Sequence, residues 1–74
     1  MIKIEDLIPL LREGYVAMDK GGLWKWYGKK PKMHNQWACW QGEEDQFLLP
    51  FDIAPAEDWT QSLIKIERKG KTND

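Results

Sequence analysis

Trp24, Lys25, Trp26, Tyr27, Lys29 and Lys30 fall within seven consecutive positions. Three large aromatic rings beside three ammonium groups are the parts needed to hold a flat anion. A nucleobase stacks on a ring for about 1–3 kcal/mol, and lysine neutralises a neighbouring phosphate. Trp37, Trp40 and His34 lie a few residues further on, and Asp52, Glu57 and Asp58 could approach a ligand from the later part of the chain. The same residues also suit a core strand with a lysine-guarded edge, so types and spacing alone leave both readings open.

Other chemistry finds less support. Nucleophilic catalysis needs a nucleophile, a base and an orienting group within reach of one another. The only histidine, His34, lies among lysines, with nothing resembling a nucleophile elbow nearby. The carboxylates Glu43, Glu44 and Asp45 read as a solvated turn. No Walker-type glycine loop and no EF-hand spacing occurs, and Gly21-Gly22 reads as a turn that needs positive φ. One cysteine and one histidine make a structural zinc site a poor expectation. Cys39 reads as a packed thiol. The expectation is a binding protein, without catalytic residues, metal or cofactor.

The chain has 74 residues, which points to one domain. A domain this small buries little of its surface and needs staples, dense packing or oligomerisation. Cys39 is the only cysteine, so an intrachain disulfide is excluded. Five tryptophans suggest dense packing or an interface. The net charge of −1 argues against bulk affinity for nucleic acid. The charge is split along the chain. Residues 20–42 hold five lysines, His34 and no acid, and residues 43–58 hold six acids and no base. No stretch approaches a membrane span, and the N-terminus lacks an apolar signal run. With a free cysteine, this predicts an intracellular protein.

The elements that must position these residues read as follows. Ile4, Leu7, Ile8 and Leu11 have helical spacing. With Asp6 as N-cap, Pro9 in the first turn and Gly14 as the stop, a helix is expected over 6–13. Residues 15–18 and 23–27 read as strands around a turn at 19–22, with Trp24 and Trp26 on one face and Leu23, Lys25 and Tyr27 on the other. Residues 28–36 read as a loop, and 37–40 and 46–49 as further strands. Trp59 reads as part of a helical turn. Residues 63–67 read as a last strand, with Ile64 and Ile66 facing together. The fold class is α+β: a short N-terminal helix, then a small antiparallel β-sheet of four to five strands. The domain spans 1–67, with a polar tail over 68–74. Aromatics sit on both sheet faces, and one helix covers only one of them. The other is expected to need a partner subunit or a ligand.

Several stretches taken together resemble small proteins of phages and prophages of gut bacteria. They are Leu-Ile-Pro-Leu-Leu-Arg-Glu-Gly-Tyr-Val-Ala-Met-Asp-Lys at 7–20, Trp-Lys-Trp-Tyr at 24–27, Lys-Lys-Pro at 29–31 and Phe-Asp-Ile-Ala-Pro-Ala-Glu-Asp-Trp at 51–59. The helix ending in Arg-Glu-Gly, the following strand and the late Ala-Glu-Asp-Trp are also similar to the second family of Thoeris anti-defence sponge proteins. That resemblance implies a phage-encoded homo-oligomer, dimer or tetramer, acting in the cytoplasm of the bacterial host. It implies immune evasion by sequestering, without cleavage, a cyclic nucleotide signal of the Thoeris or CBASS type: a cyclic ADP-ribose derivative or a cyclic oligonucleotide. Trp24 corresponds to the family's tryptophan after the first strand. Asp52 and Ala56-Glu57-Asp58-Trp59 correspond to its late motif. Asp52 stands one residue further from the tryptophan than in the family, and the proline in the helix is a departure.

The resulting expectation assigns stacking to Trp24, Trp26 and Tyr27 and phosphate contacts to Lys25, Lys29 and Lys30, with His34, Trp37, Trp40 and Asp52 as further ligand-binding candidates. The rival is a small adaptor or inhibitor whose tryptophan-rich face docks on a host or phage protein. A single-stranded nucleic-acid binder would show steep salt dependence and fits the net charge poorly.

Overall fold

Tyr15-Val16-Ala17-Met18 combines β-branched and apolar residues without a breaker, and it becomes the strand with neighbours on both sides. A computed structural model describes residues 1–43 and 45–67; the tail expected over 68–74 lies outside them. The strands are β1 (Gly14–Met18), β2 (Trp24–Tyr27), β3 (Lys32–His34), β4 (Cys39–Gln41), β5 (Gln46–Leu48) and β6 (Ile64–Ile66). A four-stranded antiparallel sheet has the order β5-β2-β1-β6, and β3 and β4 form a separate antiparallel hairpin. The class is α+β, as the sequence implies.

The β1–β2 hairpin follows the expected plan. Met18 pairs with Trp24 and Tyr15 with Tyr27. The Asp19 N–H donates to the Leu23 carbonyl and the Gly22 N–H to the Asp19 carbonyl. Gly22 sits at φ 96°, a conformation that glycine adopts without steric penalty. Alternation then sorts the side chains. Val16, Met18, Trp24 and Trp26 face one way, against Ile4, Leu7, Leu49, Ile53 and Ile66. Ala17 and Tyr27 face the other way.

Three expectations need correction. The helix over 6–13 is instead α1 (Ile4–Leu7) followed by a 3-10 turn (Ile8–Leu10). Asp6 is not its N-cap; that place falls to Lys3, whose side chain makes no capping bond. A helix that starts at Ile4 carries Pro9 beyond the first turn, where an α-helix would lose a bond and meet the proline ring. The chain tightens to 3-10 geometry and leaves it at an extended Leu11. Gly14 opens β1 rather than closing a helix.

The loop expected over 28–36 contains β3, and β4 begins at Cys39, so Trp37 lies in the turn between them rather than in a strand. Lys32-Met33-His34 alternates over only three residues, too few to mark a strand. Its partner supplies the rest: Met33 faces Trp40 across the hairpin.

The third correction follows from the second. The sheet face bearing Ala17 and Tyr27 does not depend on a partner subunit, because this hairpin covers it. Trp40 packs there, with Tyr15, Trp59 and Leu63 around it. Asp19 fastens the hairpin down: one carboxylate oxygen accepts the Trp40 N–H at 2.9 Å, and the other lies 3.3 Å from the Lys25 ammonium.

The staple that a small domain needs is tryptophan. Each of the three buried indoles donates its N–H to a backbone carbonyl in a segment outside the strands. Trp26 bonds to Arg12 at 3.1 Å, Trp24 to Ala54 at 3.2 Å and Trp40 to Trp59 at 3.1 Å. One residue thus fills the core and ties down a connection.

Ser62 extends the β1–β6 ladder. Its buried hydroxyl accepts the Met18 N–H at 2.8 Å and has the Trp59 and Met18 carbonyls at 2.7 and 3.1 Å as acceptors. Replacing Ser62 by Ala strands the Met18 N–H, and we expect a loss of about 1–3 kcal/mol by urea titration. Ser62→Cys, whose thiol is a weak acceptor, falls between the two.

Candidate functional site

The β3–β4 hairpin presents the exposed aromatic and basic groups. In its register Lys32 faces Gln41 and His34 faces Cys39. Alternation places these four on the outer side, with Met33 and Trp40 turned to the sheet. The chain reverses over 35–38, where the Ala38 N–H donates to the Asn35 carbonyl at 3.2 Å and Ala38 adopts φ 54°. This turn pushes Trp37 outward to 66 % exposure. The Trp37 ring stacks on His34, with centroids 5.6 Å apart and planes inclined by 19°. The Lys20 N–H donates to the Ala38 carbonyl at 3.1 Å, bringing the start of the basic block to the tip.

The ten expected ligand-binding residues separate into four groups. Trp24, Trp26, Tyr27 and Trp40 are core, so their ring faces are closed within this chain. Trp26 lies against Phe47 at 5.2 Å and under the Arg12 guanidinium at 4.5 Å. Lys25 is half-buried and committed to Asp19. Asp52 lies in the segment that covers the opposite sheet face, where its carbonyl accepts the Ile2 N–H. Lys29, Lys30, His34 and Trp37 remain on or beside the hairpin.

The charge split also changes in space. The Gly28 N–H donates to the Asp45 carbonyl at 2.8 Å, which sets Asp45 beside the loop that begins with Gly28 and Lys29. Among the described residues, no ion pair engages Lys20, Lys30 or Lys32. Lys20 and Lys32 were countable in the basic block, but only the fold places Lys20 at the tip.

Tyr27 is buried within the structure and donates its hydroxyl to the Trp40 carbonyl at 3.3 Å. Burial, then the charge of Asp19, then Cys39, hold this phenol protonated well above its ordinary range. The native state keeps this proton while the unfolded chain releases it above about pH 10. Stability therefore falls as pH rises beyond that point, by up to about 1.4 kcal/mol per pH unit. We expect Tyr27→Phe to move the alkaline unfolding midpoint upward relative to its neutral-pH stability, measured by circular dichroism across pH 8–12.

No group of three or more His, Cys, Asp or Glu side chains among the described residues could hold a metal ion. His34 and Cys39 stand opposite each other as a pair alone. A groove of about 300 Å3 lies on the other side of the sheet, lined by Lys3, Glu5, Trp24, Ala56, Gln61 and Ile64. Lys3 and Glu5 carry opposite charges there, and Trp24 is held by its bond to Ala54, so a stacked anion is poorly served. No helix among the described residues is long and apolar enough to cross a membrane. Comparison with family models, with curated proteins and with solved structures finds no match for this chain.

Proposed function

We propose that the chain is a non-catalytic binding protein that sequesters a cyclic nucleotide signal at the tip of the β3–β4 hairpin. The observation that carries the reading is the exposed Trp37 ring, stacked on His34 at the turn whose Ala38 carbonyl accepts the Lys20 N–H, with Lys32 on the outer side of the same hairpin. That stacking limits the ring's rotamer freedom before ligand arrives, which lowers the entropy lost on binding. Base stacking on Trp37 contributes about 1–3 kcal/mol. The lysines take the phosphates as point charges.

One open ring corresponds to weak affinity, whereas sequestration needs an enclosed ligand. In this reading a second copy brings its own tip to the other side of the base. Two-fold pairing makes both walls from the same residues. The immune-evasion role in the bacterial cytoplasm rests on the resemblance to sponge proteins, and the tip is where its ligand would sit.

The test is a thermal-shift series with cyclic ADP-ribose isomers, cyclic dinucleotides and cyclic trinucleotides. Ligand that binds the folded state raises the melting temperature by mass action. The expected result is a shift with one class that Trp37→Ala and Lys32→Ala each reduce, with the nucleotide recovered intact. A flat response across the panel, or a shift indifferent to both substitutions, removes the proposal.

A further inference from the structure

The two edges of the main sheet are built differently. The β6 edge carries exposed Lys65 and Glu67, whose charged groups lie 3.2 Å apart. Charge on an edge strand blocks pairing with another chain. The β5 edge has no such guard. From Gln46 to Phe51 there is no charged residue, and Phe47, Leu48 and Phe51 are 47 %, 50 % and 49 % exposed.

The hydrogen bonds show which backbone groups this edge offers. Asp45 accepts from Gly28 and Leu49 donates to Trp24. Trp26 lies opposite Phe47 between them. Residues 45, 47 and 49 therefore turn their backbone toward β2, and Gln46 and Leu48 turn theirs outward. The next outward position is Pro50, which has no N–H to give. The open edge is thus a short template with two outward donors and a built-in stop.

Exposed acids bracket it, with Glu43 and Asp45 before the strand and Asp52 after it. A second copy pairing antiparallel about Phe47 would set Gln46 against Leu48, which the backbone permits. It would also crowd the acids of both copies at the two ends, with no base between residues 43 and 58 to relieve them. Complementarity selects a different occupant. We propose that the β5 edge is a strand-addition site for an extended segment of a partner protein, apolar in its middle and basic at both ends. The main chain of Gln46 and Leu48 supplies the pairing, and Phe47, Leu48 and Phe51 supply the apolar contact. This site is independent of the hairpin tip, and Trp37→Ala leaves it intact.

The experiment selects short random displayed peptides on the immobilised full chain, then measures the enriched peptides by fluorescence anisotropy. The expected winners have alternating apolar residues, no central proline and Lys or Arg at both ends. Leu48→Pro removes an outward donor while sparing the bonds to β2, and we expect it to weaken binding by about tenfold or more. Glu43→Lys with Asp52→Lys leaves the backbone unchanged, and we expect it to weaken the preference for basic flanks, most at the end that meets residue 52. Absence of enrichment, winners without basic ends, or equal binding by both variants overturns the proposal. A wild-type dimer in sedimentation velocity that Leu48→Pro dissolves also overturns it, by assigning the edge to a second copy.

Discussion

We expect Trp26→Ala to lower the thermal midpoint steeply or to abolish the cooperative transition, whereas Trp37→Ala leaves the melting temperature close to wild type. Both remove one indole from a neighbouring part of the chain, and the difference lies in what each indole touches. Trp26 is almost fully buried on the central sheet, stacked with Phe47 and bonded to the Arg12 carbonyl. Truncating a buried tryptophan costs about 3–5 kcal/mol. It also frees the connection between the 3-10 turn and β1. At the usual 0.05–0.15 kcal/mol per residue, a chain of 74 residues has about 4–11 kcal/mol in total. The substitution therefore removes from about a quarter to all of the margin. Trp37 touches little besides His34, and surface substitutions of that kind stay within about 0.5 kcal/mol. Circular dichroism melts of the two variants make the comparison directly. A cooperative Trp26→Ala melt near the wild-type midpoint would contradict this account of the core.

The second large effect is expected at Gly14. A Cβ there would stand 2.6 Å from the Trp26 ring and 2.6 Å from the Tyr27 carbonyl. The ring belongs to a packed side chain and the carbonyl to the neighbouring strand, so neither can swing aside. Overpacking of this kind costs about 1–3 kcal/mol, and the clash with backbone places Gly14→Ala at the upper end. Gly21 is the internal control, because nothing lies within 4 Å of a Cβ built there. Its φ is not in the left-handed region, and Gly21→Ala should be neutral or stabilise by up to about 1 kcal/mol through the unfolded chain. Urea midpoints for the pair test the prediction. Equal midpoints would mean that β1 can shift away from Trp26.

The parts of the fold legible in the sequence were those governed by local pattern. The β1–β2 hairpin announced itself through Tyr15–Met18, the Asp-Lys-Gly-Gly turn and the alternating Trp24 and Trp26. Ile64 and Ile66 faced together as their spacing implies, and Trp59 begins a 3-10 turn. The parts that were illegible depend on distant partners. Lys32-Met33-His34 is a strand because Trp40 is there to face it, and three alternating residues are too short a signal by themselves. The placement of β5 beside β2, rather than beside its chain neighbour β4, is likewise a long-range choice. The candidate site divided along the same line. Composition drew attention to Trp24, Trp26 and Tyr27, yet aromatic residues mark cores and binding faces alike. Exposure separates them, and exposure follows from the hairpin that the sequence pattern concealed. Lys29, Lys30 and Trp37 kept accessible positions because loop and turn residues hold them, and His34 because it lies on the outer side of β3.

The two neighbours of β1 arrive at very different times during synthesis. β2 follows it after a short turn, but Gly14 pairs with Ile66 on its other side. Closing that long loop is entropically slower than closing the hairpin. Until residue 66 has left the ribosome, one flank of β1 has no strand to pair with. The nascent chain therefore carries an unpaired β1 edge while β2 to β5 are already made. In that interval it is open to chaperones and to aggregation with its own kind.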